Sequence, residues 1–550
     1  MLSDGTHSLA VTPKSLLKRK STDRAFGAAY VLVLLVTLAI AIAAGVGSNI
    51  DGFKQCNVNG TVNGTVNGTV NGTAKGTVAF TTDDVTDFLA VLPELLVIPI
   101  ISVLIGMAWM GAMRSCAKAM VYGTLIGQGL VLAVLAVGSL VTEKYQPLIF
   151  FFGTLFVMYL LLLFCARKTI NLTATLIEQA ASVVQVHPQI FLSSVLLMTL
   201  GAIVYGTCIA AALLLITNGE CVLSNSTSVD PKYDPKSGPG GQWQLSNAAV
   251  AGLSFVGFAM LWSVEVFSAM RFYVVSFVTG VWYFKASGMA AQEGGSGTVT
   301  NPVTTATKLA FTKSFGTICL TGLIMYIVEL LRRMAKEQAR KNNLTSALIA
   351  CCINCLVAYL EFITRFALTF HALTGDDLCT SARTFTSHLN RHGFSAVWVN
   401  WMASWVFNFS AFALSLLITA ICLVISSQRG FFVAFFIGIL SFIFAIVFLS
   451  FVAGILLNII DACYSCLILD LDHGAKSQPQ VAQAILIVAN PTYLYQHQQN
   501  VPQPTVAVAY AQPYAPQPTT ASCAQPSMGS VPQPTAYGHA RPIVSEYVAK

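Results

Sequence analysis

Residues 57–73 read Asn57-Val-Asn59-Gly-Thr-Val-Asn63-Gly-Thr-Val-Asn67-Gly-Thr-Val-Asn71-Gly-Thr73, four tandem Asn-Gly-Thr acceptors between two long apolar runs. Asn-x-Thr is glycosylated only where the secretory machinery reaches it, so Asn59, Asn63, Asn67 and Asn71 place the loop 48–87 on the lumenal or extracellular side. Both ends of that loop then enter a membrane. The fold class that follows is an all-α polytopic membrane protein.

Composition agrees. Of 550 residues, 55% are hydrophobic and 10% charged, against roughly 25% charged in a soluble domain, and the mean hydropathy is +0.69. The net charge of +7 is concentrated in short segments beside hydrophobic runs, which is an orientation signal and not a nucleic-acid surface. Lys14, Lys18, Arg19, Lys20 and Arg24 precede the first run, 25–47. That run exceeds the roughly 7–15 apolar residues of a secretory signal, so it reads as a signal anchor with a cytoplasmic N-terminus.

A crossing helix needs about 20 apolar residues. The candidates are 25–47, 88–112, 119–141, 147–165, 190–216, 247–270, 396–425 and 431–460. Counting crossings brings the loop 217–246 out on the side of the repeats, where Asn225-Ser-Thr227 is an independent acceptor. Arg114, Lys118, Arg167 and Lys168 fall on the cytoplasmic side, as does Asn171-Leu-Thr173, which is therefore expected to be unmodified. The stretch 309–374 reads two ways. If its two apolar parts cross, there are ten spans and Arg332, Arg333, Lys336, Arg340 and Lys341 lie outside; if not, they are half-spans or interfacial helices. Both counts are even and leave the C-terminus in the cytoplasm.

Cys56 and Cys221 are the cysteines of the two extracellular loops, and either pair as a disulfide across them or stay free. Cys351, Cys352, Cys355, Cys463 and Cys466 have metal-like spacings, but no histidine or second pair completes a site, and buried or lipidated thiols are the favoured reading. From 474 the chain becomes rich in Gln, Pro, Ala, Tyr and Thr, with Pro-Gln-Pro-Thr at 502–505, 516–519 and 532–535. Such a segment lacks the apolar density to order itself and reads as a cytoplasmic tail, a ligand for a partner or a sorting signal.

No P-loop, nucleophile elbow or His-Glu-x-x-His is present, so neither enzymatic chemistry nor a cofactor is expected. What remains is a set of ionisable groups at membrane depth, each costing at least about 2.5–3.5 kcal/mol at a helix centre unless it meets a partner or a wet cavity. Glu361 and Arg365 are four apart and can neutralise each other. Glu94, between Pro93 and Pro99, is either an interfacial acid or part of a cation site lined by freed carbonyls. Glu265 lies one turn from Trp262, an acid beside an aromatic face that suits an organic ammonium or else pairs with another helix. Arg271, six residues on, points about 240° away on an unbroken helix. Trp398, Trp401 and Trp405 form a stripe that is an interfacial belt or a cation-binding wall, and Gly123-Thr-Leu-Ile-Gly127 is a close-packing motif.

Four ordered blocks complete the reading. They are Leu261-Trp262 with Glu265-Val266 and Gly280-Val-Trp282-Tyr283-Phe284; Ser314-Phe-Gly316-Thr-Ile-Cys319 with Gly322; Ala367, Gly375, Cys379 and Ser381-Ala382; and Asp461-Ala-Cys-Tyr-Ser-Cys466 leading to Asp470-Leu-Asp472. Over 261–473 the chain resembles the choline transporter-like family of solute carriers. It departs at Leu368, where that family usually has Tyr, and at Arg365-Phe366, which stand in place of Asn-Arg. The resemblance implies a carrier of about ten spans, at least eight, that moves choline or a related amine. Trp262, Glu265, Trp282 and Tyr283, with Glu94 as runner-up, are the expected substrate residues. Choline and the surrounding membrane lipids are the expected partners. The rival readings are a channel and a non-transporting scaffold or sensor acting through the tail.

Overall fold

The computed structural model describes residues 20–49, 53, 82–141, 146–165, 167–223, 241–285, 301–340, 344–392, 395–426 and 431–472. Among them, in order, are α1 (Arg24–Val46), α2 (Thr82–Val141), α3 (Gln146–Cys165), α4 (Arg167–Val186), α5 (Gln189–Ile216), β1 (Gly219–Leu223), β2 (Gly241–Leu245), α6 (Asn247–Lys285), α7 (Pro302–Phe311), α8 (Phe315–Ala339), α9 (Leu344–Thr374), α10 (Leu378–His392), α11 (Ser395–Ser426) and α12 (Phe431–Asp472). Among the described residues, eight helices are long and apolar enough to cross a membrane: α1, α2, α5, α6, α8, α9, α11 and α12. Their outer faces are apolar. On α5, Leu192, Leu196, Ile203 and Leu213 are 59–62% exposed, an arrangement that lipid tails tolerate and water does not.

Two regions carry detail that hydropathy alone does not give. First, 88–112 and 119–141 lie on two helices that run into each other across a kink at Cys116 (φ −134°, ψ 33°) and together make up α2. Trp109, before this bend, packs edge-on against Phe407 at 6.1 Å, and Gly127, after it, lies against the ring of Phe409. A straight helix would set 109 and 127 about 27 Å apart, so the bend brings both halves to one stretch of α11. Second, the ambiguous region 309–374 contains two long apolar helices, α8 and α9, which pack against each other. The span expected at 147–165 is α3, whose described apolar stretch is the shorter Phe151–Leu161.

The ends of α1 locate the two loops. At its start, Asp23 Oδ2 accepts from the Thr317 hydroxyl of α8 at 2.8 Å and from the Leu378 amide of α10 at 3.4 Å. Past its end, the Asn49 amide donates to the Thr217 carbonyl at 3.2 Å, and the Phe53 ring sits 5.3 Å from Trp243. The segments that follow α1 and α5 therefore leave from the same end of the bundle, opposite Asp23. The loop after α5 is partly ordered as an antiparallel ribbon in which Cys221 faces Trp243. Cys221 is disulfide-bonded. Cys56, Asn59, Asn63, Asn67, Asn71, Asn225 and the tail from 473 lie outside the described residues. Asn171 lies within helix α4, accepting from the Tyr122 hydroxyl at 3.3 Å, with Leu172 and Thr173 fully buried.

Helix α6 forms the axis of the core. Tyr273, Phe277, Val278 and Tyr283 on it are at most 1% exposed. Helix α9 stops at Gly375, whose positive φ of 82° is the left-handed turn that ends helices. Asp377 then caps α10 by accepting from the Thr380 hydroxyl at 2.7 Å and the Thr380 amide at 3.1 Å. The Thr380 hydroxyl bond is the main reason that its carboxyl is held below the usual range.

Close helix packing occurs where α8 meets α6 and α1, not at Gly123. A Cβ on Gly123 would meet nothing within 4 Å, whereas one on Gly322 would stand 2.9 Å from the Val266 amide nitrogen and 3.0 Å from its Cα. Backbone atoms cannot yield as a side-chain tip can. Gly322→Ala should therefore lower stability by about 1–3 kcal/mol through overpacking, read as a lower thermal unfolding midpoint in detergent, while Gly123→Ala leaves the midpoint unchanged or slightly higher.

Candidate functional site

Glu265, Ala269 and Phe272 fall on one face of α6 because they are spaced four and three apart. Around that face, Thr321 of α8, Arg365 of α9 and Asn458 of α12 close a cavity of about 60 Å³, enough for a few water molecules or a small polar ligand. Glu265 is half-buried in its wall. Among the described residues it makes no hydrogen bond and no ion pair, an arrangement that costs free energy at membrane depth.

Arg271 reaches the same cavity although α6 is unbroken between it and Glu265. The length of its side chain compensates for the angle between the two Cα–Cβ directions. Its guanidinium lies 5.7 Å from the centre of the Phe451 ring, and Nε is buried without a hydrogen-bond partner. Arg365 sits in the same manner over Phe272, at 5.7 Å. Both cations are thus placed against aromatic faces.

The expected Glu361–Arg365 pair does not form. Glu361 instead binds Arg332 of α8 at 2.6 Å, and Arg332 also holds Glu329 at 3.0 Å. The helix-to-helix partner wins because it approaches Glu361 from α8, leaving Arg365 to the cavity.

A second acid, Asp461, was named in the last motif block but not among the expected site residues, because the last span was drawn to end at 460. Helix α12 continues to Asp472, and Asp461 is 2% exposed on it. Asn400 of α11 donates to its Oδ1 at 2.5 Å, and its Oδ2 is buried with no hydrogen-bond partner. The signal available was the spacing from Asn458 to Asp461, one helical turn within an apolar run.

The other expected site residues lie elsewhere. Trp262 is 3% exposed, donates its indole N–H to the Cys319 carbonyl at 3.2 Å and meets Tyr30 edge-on at 5.2 Å. It ties α1, α6 and α8 together. Tyr283 is fully buried, with its hydroxyl donating to Asp470 at 3.2 Å, and Trp282 beside it is partly buried. Eighteen residues of continuous helix place Tyr283 about 27 Å from Glu265, so one small ligand cannot touch both. Glu94 is on α2, in the part whose side chains lie outside the described residues. Trp401 and Trp405 line a different, apolar cleft.

A family model described as plasma-membrane choline transporter matches residues 150–472. The chain is 29% identical over 195 residues to Protein PNS1 of Mycosarcoma maydis, covering 34% of this chain and 35% of that protein. It is 24% identical over 313 residues to a CTL-like protein of Dictyostelium discoideum, covering 55% and 50%. A second CTL-like protein of that organism is 23% identical over 325 residues, covering 54% and 56%. The chain thus spans between about a third and just over half the length of these curated relatives.

The Asn400–Asp461 bond offers a check on how α11 is held to α12. Asn400→Leu leaves a buried carboxylate without its donor and should cost about 1.5–3 kcal/mol. Asp461→Asn removes the charge as well and should cost less, so the order of the two thermal midpoints, with Asn400→Leu lower, is the readout.

Proposed function

Because this chain belongs to the plasma-membrane choline transporter family and is a multi-pass membrane protein, we propose that it carries choline or a related organic cation across the plasma membrane, by facilitated, potential-driven uptake. The observation that supports this reading is Glu265, a carboxylate with no ionic partner on the wall of a polar cavity at membrane depth. A carboxylate so placed is stabilised by an incoming cation. The Phe272 ring on the same wall already carries the Arg365 guanidinium over it, and the unpaired Nε of Arg271 is a donor for the hydroxyl oxygen that choline carries next to its ammonium head. Glu265 is the substrate's counter-ion; Trp262, Trp282 and Tyr283 act on the frame around it, and Glu94 belongs to the entry path.

Choline is a permanent cation. An inside-negative membrane potential favours its entry by about 2.3 kcal/mol per 100 mV, so no coupled ion is required. Alternating exposure of the cavity to the two sides suffices.

On the outer side, Cys56 is the disulfide partner of Cys221, and Asn59, Asn63, Asn67, Asn71 and Asn225 carry the glycans. The support is Phe53, which packs on Trp243, the residue facing Cys221 across the ribbon; three residues of chain reach from Phe53 to Cys56. Cys56→Ser should release a free thiol at Cys221, detected by maleimide labelling on intact cells. Unchanged labelling would remove the assignment.

The transport reading is tested with purified protein in vesicles, using labelled choline under a potassium diffusion potential. Wild type should show saturable uptake that rises as the interior is made more negative. Glu265→Gln, which keeps the shape but not the charge, should lower uptake about tenfold or more, a loss of roughly 1.4 kcal/mol. Absence of choline uptake by wild type would defeat the substrate assignment, and normal uptake by Glu265→Gln would defeat the site.

A further inference from the structure

Away from Glu265, helices α2, α3 and α11 enclose a second cavity of about 810 Å³, within the range of roughly 300–1,000 Å³ of small-molecule sites. Trp401, Trp405 and Phe409 of α11 and Tyr159 of α3 supply flat ring faces, aliphatic side chains fill the rest of the wall, and no charged residue lines it. The mouth is on the outer face of the bundle, where Val131, Met158 and Trp405 are 47–60% exposed among apolar neighbours. What meets that mouth in a membrane is lipid.

One polar group interrupts this wall. Gln128 is 7% exposed, and its Nε2 has no hydrogen-bond partner. On the other side of the amide, the Tyr159 hydroxyl donates its single proton to the Leu125 carbonyl at 2.7 Å and lies 3.5 Å from Gln128 Oε1, a contact too long for a second strong bond. The Nε2 side of the amide is left without a partner in an apolar cleft. A buried donor left unpaired costs about 1–3 kcal/mol. Asn408, on the opposite wall, already donates to Ser404 at 3.2 Å.

The complement of such a wall is a rigid, uncharged hydrocarbon with one oxygen that accepts a hydrogen bond. A phospholipid would enter with an acyl chain, which covers the apolar wall but brings no oxygen to Gln128 while the phosphate stays at the membrane surface. We propose that this cleft binds one sterol molecule from the surrounding bilayer, with its ring system against Trp401, Trp405 and Phe409 and its hydroxyl oxygen accepting from Gln128 Nε2. The site is separate from the cavity at Glu265 and does not depend on what that cavity carries.

The test uses the full chain in nanodiscs with a diazirine-bearing sterol, and in a parallel arm a phospholipid bearing diazirine on its acyl chain, followed by peptide mapping. The sterol probe should label peptides that contain Gln128 or Trp405, and unlabelled sterol in excess should compete. Gln128→Leu should lower that labelling about fivefold or more, the effect of one lost hydrogen bond. Leu155→Trp fills the cleft from a position already 40% exposed; it should lower labelling similarly and keeps the test open if Gln128→Leu fails to fold. Sterol labelling that neither folded variant changes, or phospholipid labelling of the same peptides with equal strength, would overturn the proposal. Labelling that sterol does not compete would do the same and leave Gln128 to a water molecule.

Discussion

Within a bilayer no solvent is at hand to satisfy a polar group, so every donor, acceptor and charge must be met by protein, by trapped water or by a ligand. Most polar side chains of the bundle obey this by bonding back to their own helix, as Thr279 does to Val275 at 2.8 Å and Ser415 to Ala411 at 2.7 Å. Others tie helices together. Tyr30 of α1 reaches Ser263 of α6 at 3.1 Å, and Tyr273 of α6 accepts from Ser314 at 2.9 Å. Among the described residues, the buried groups left without a hydrogen bond include Arg271 Nε at the cavity of Glu265 and Gln128 Nε2 at the second cleft, with others such as Ser194 and Ser381 elsewhere in the bundle. In a membrane protein, an unmet polar group is the feature most informative about function.

The same constraint explains why α6 occupies the middle. It carries Glu265 and Arg271 in a helix that is otherwise largely apolar, and those residues can lie at membrane depth only if neighbouring helices surround them. Glycine at 322 allows α8 to come into contact with the backbone of α6 at Val266, one residue beyond Glu265. The close approach and the polar cavity are parts of one packing solution. Trp262 contributes by fixing α8 through the Cys319 carbonyl. Its role in the structure is that of a brace, although its nearness in sequence to Glu265 suggests a shared binding wall.

Much of the architecture was legible from hydropathy because a crossing helix must be apolar over its whole length, which leaves a signal in composition alone. The two regions read least well were those where that signal is interrupted by charge. Glu329, Arg332 and Glu361 interrupt α8 and α9 and suggested incomplete spans, yet they neutralise one another across the two helices. The break expected between 112 and 119 is present as a kink at Cys116, with helix running up to it on both sides. The last span was drawn to end at 460, yet α12 continues to Asp472 and buries Asp461 well inside it, beside its partner Asn400.

The sequence by itself determined that this chain is a polytopic helical membrane protein of a recognisable family, because apolar length and ordered motifs are one-dimensional properties. It also supplied Glu265 as a candidate, since an acid in such a run is costly wherever it falls. Only the tertiary structure decided which groups surround that acid, that Trp262 and Tyr283 serve other contacts, and that Gln128 faces an apolar cleft. Those outcomes depend on which faces of separate helices meet, and residues nearly two hundred positions apart, such as Glu265 and Asn458, become neighbours only through packing.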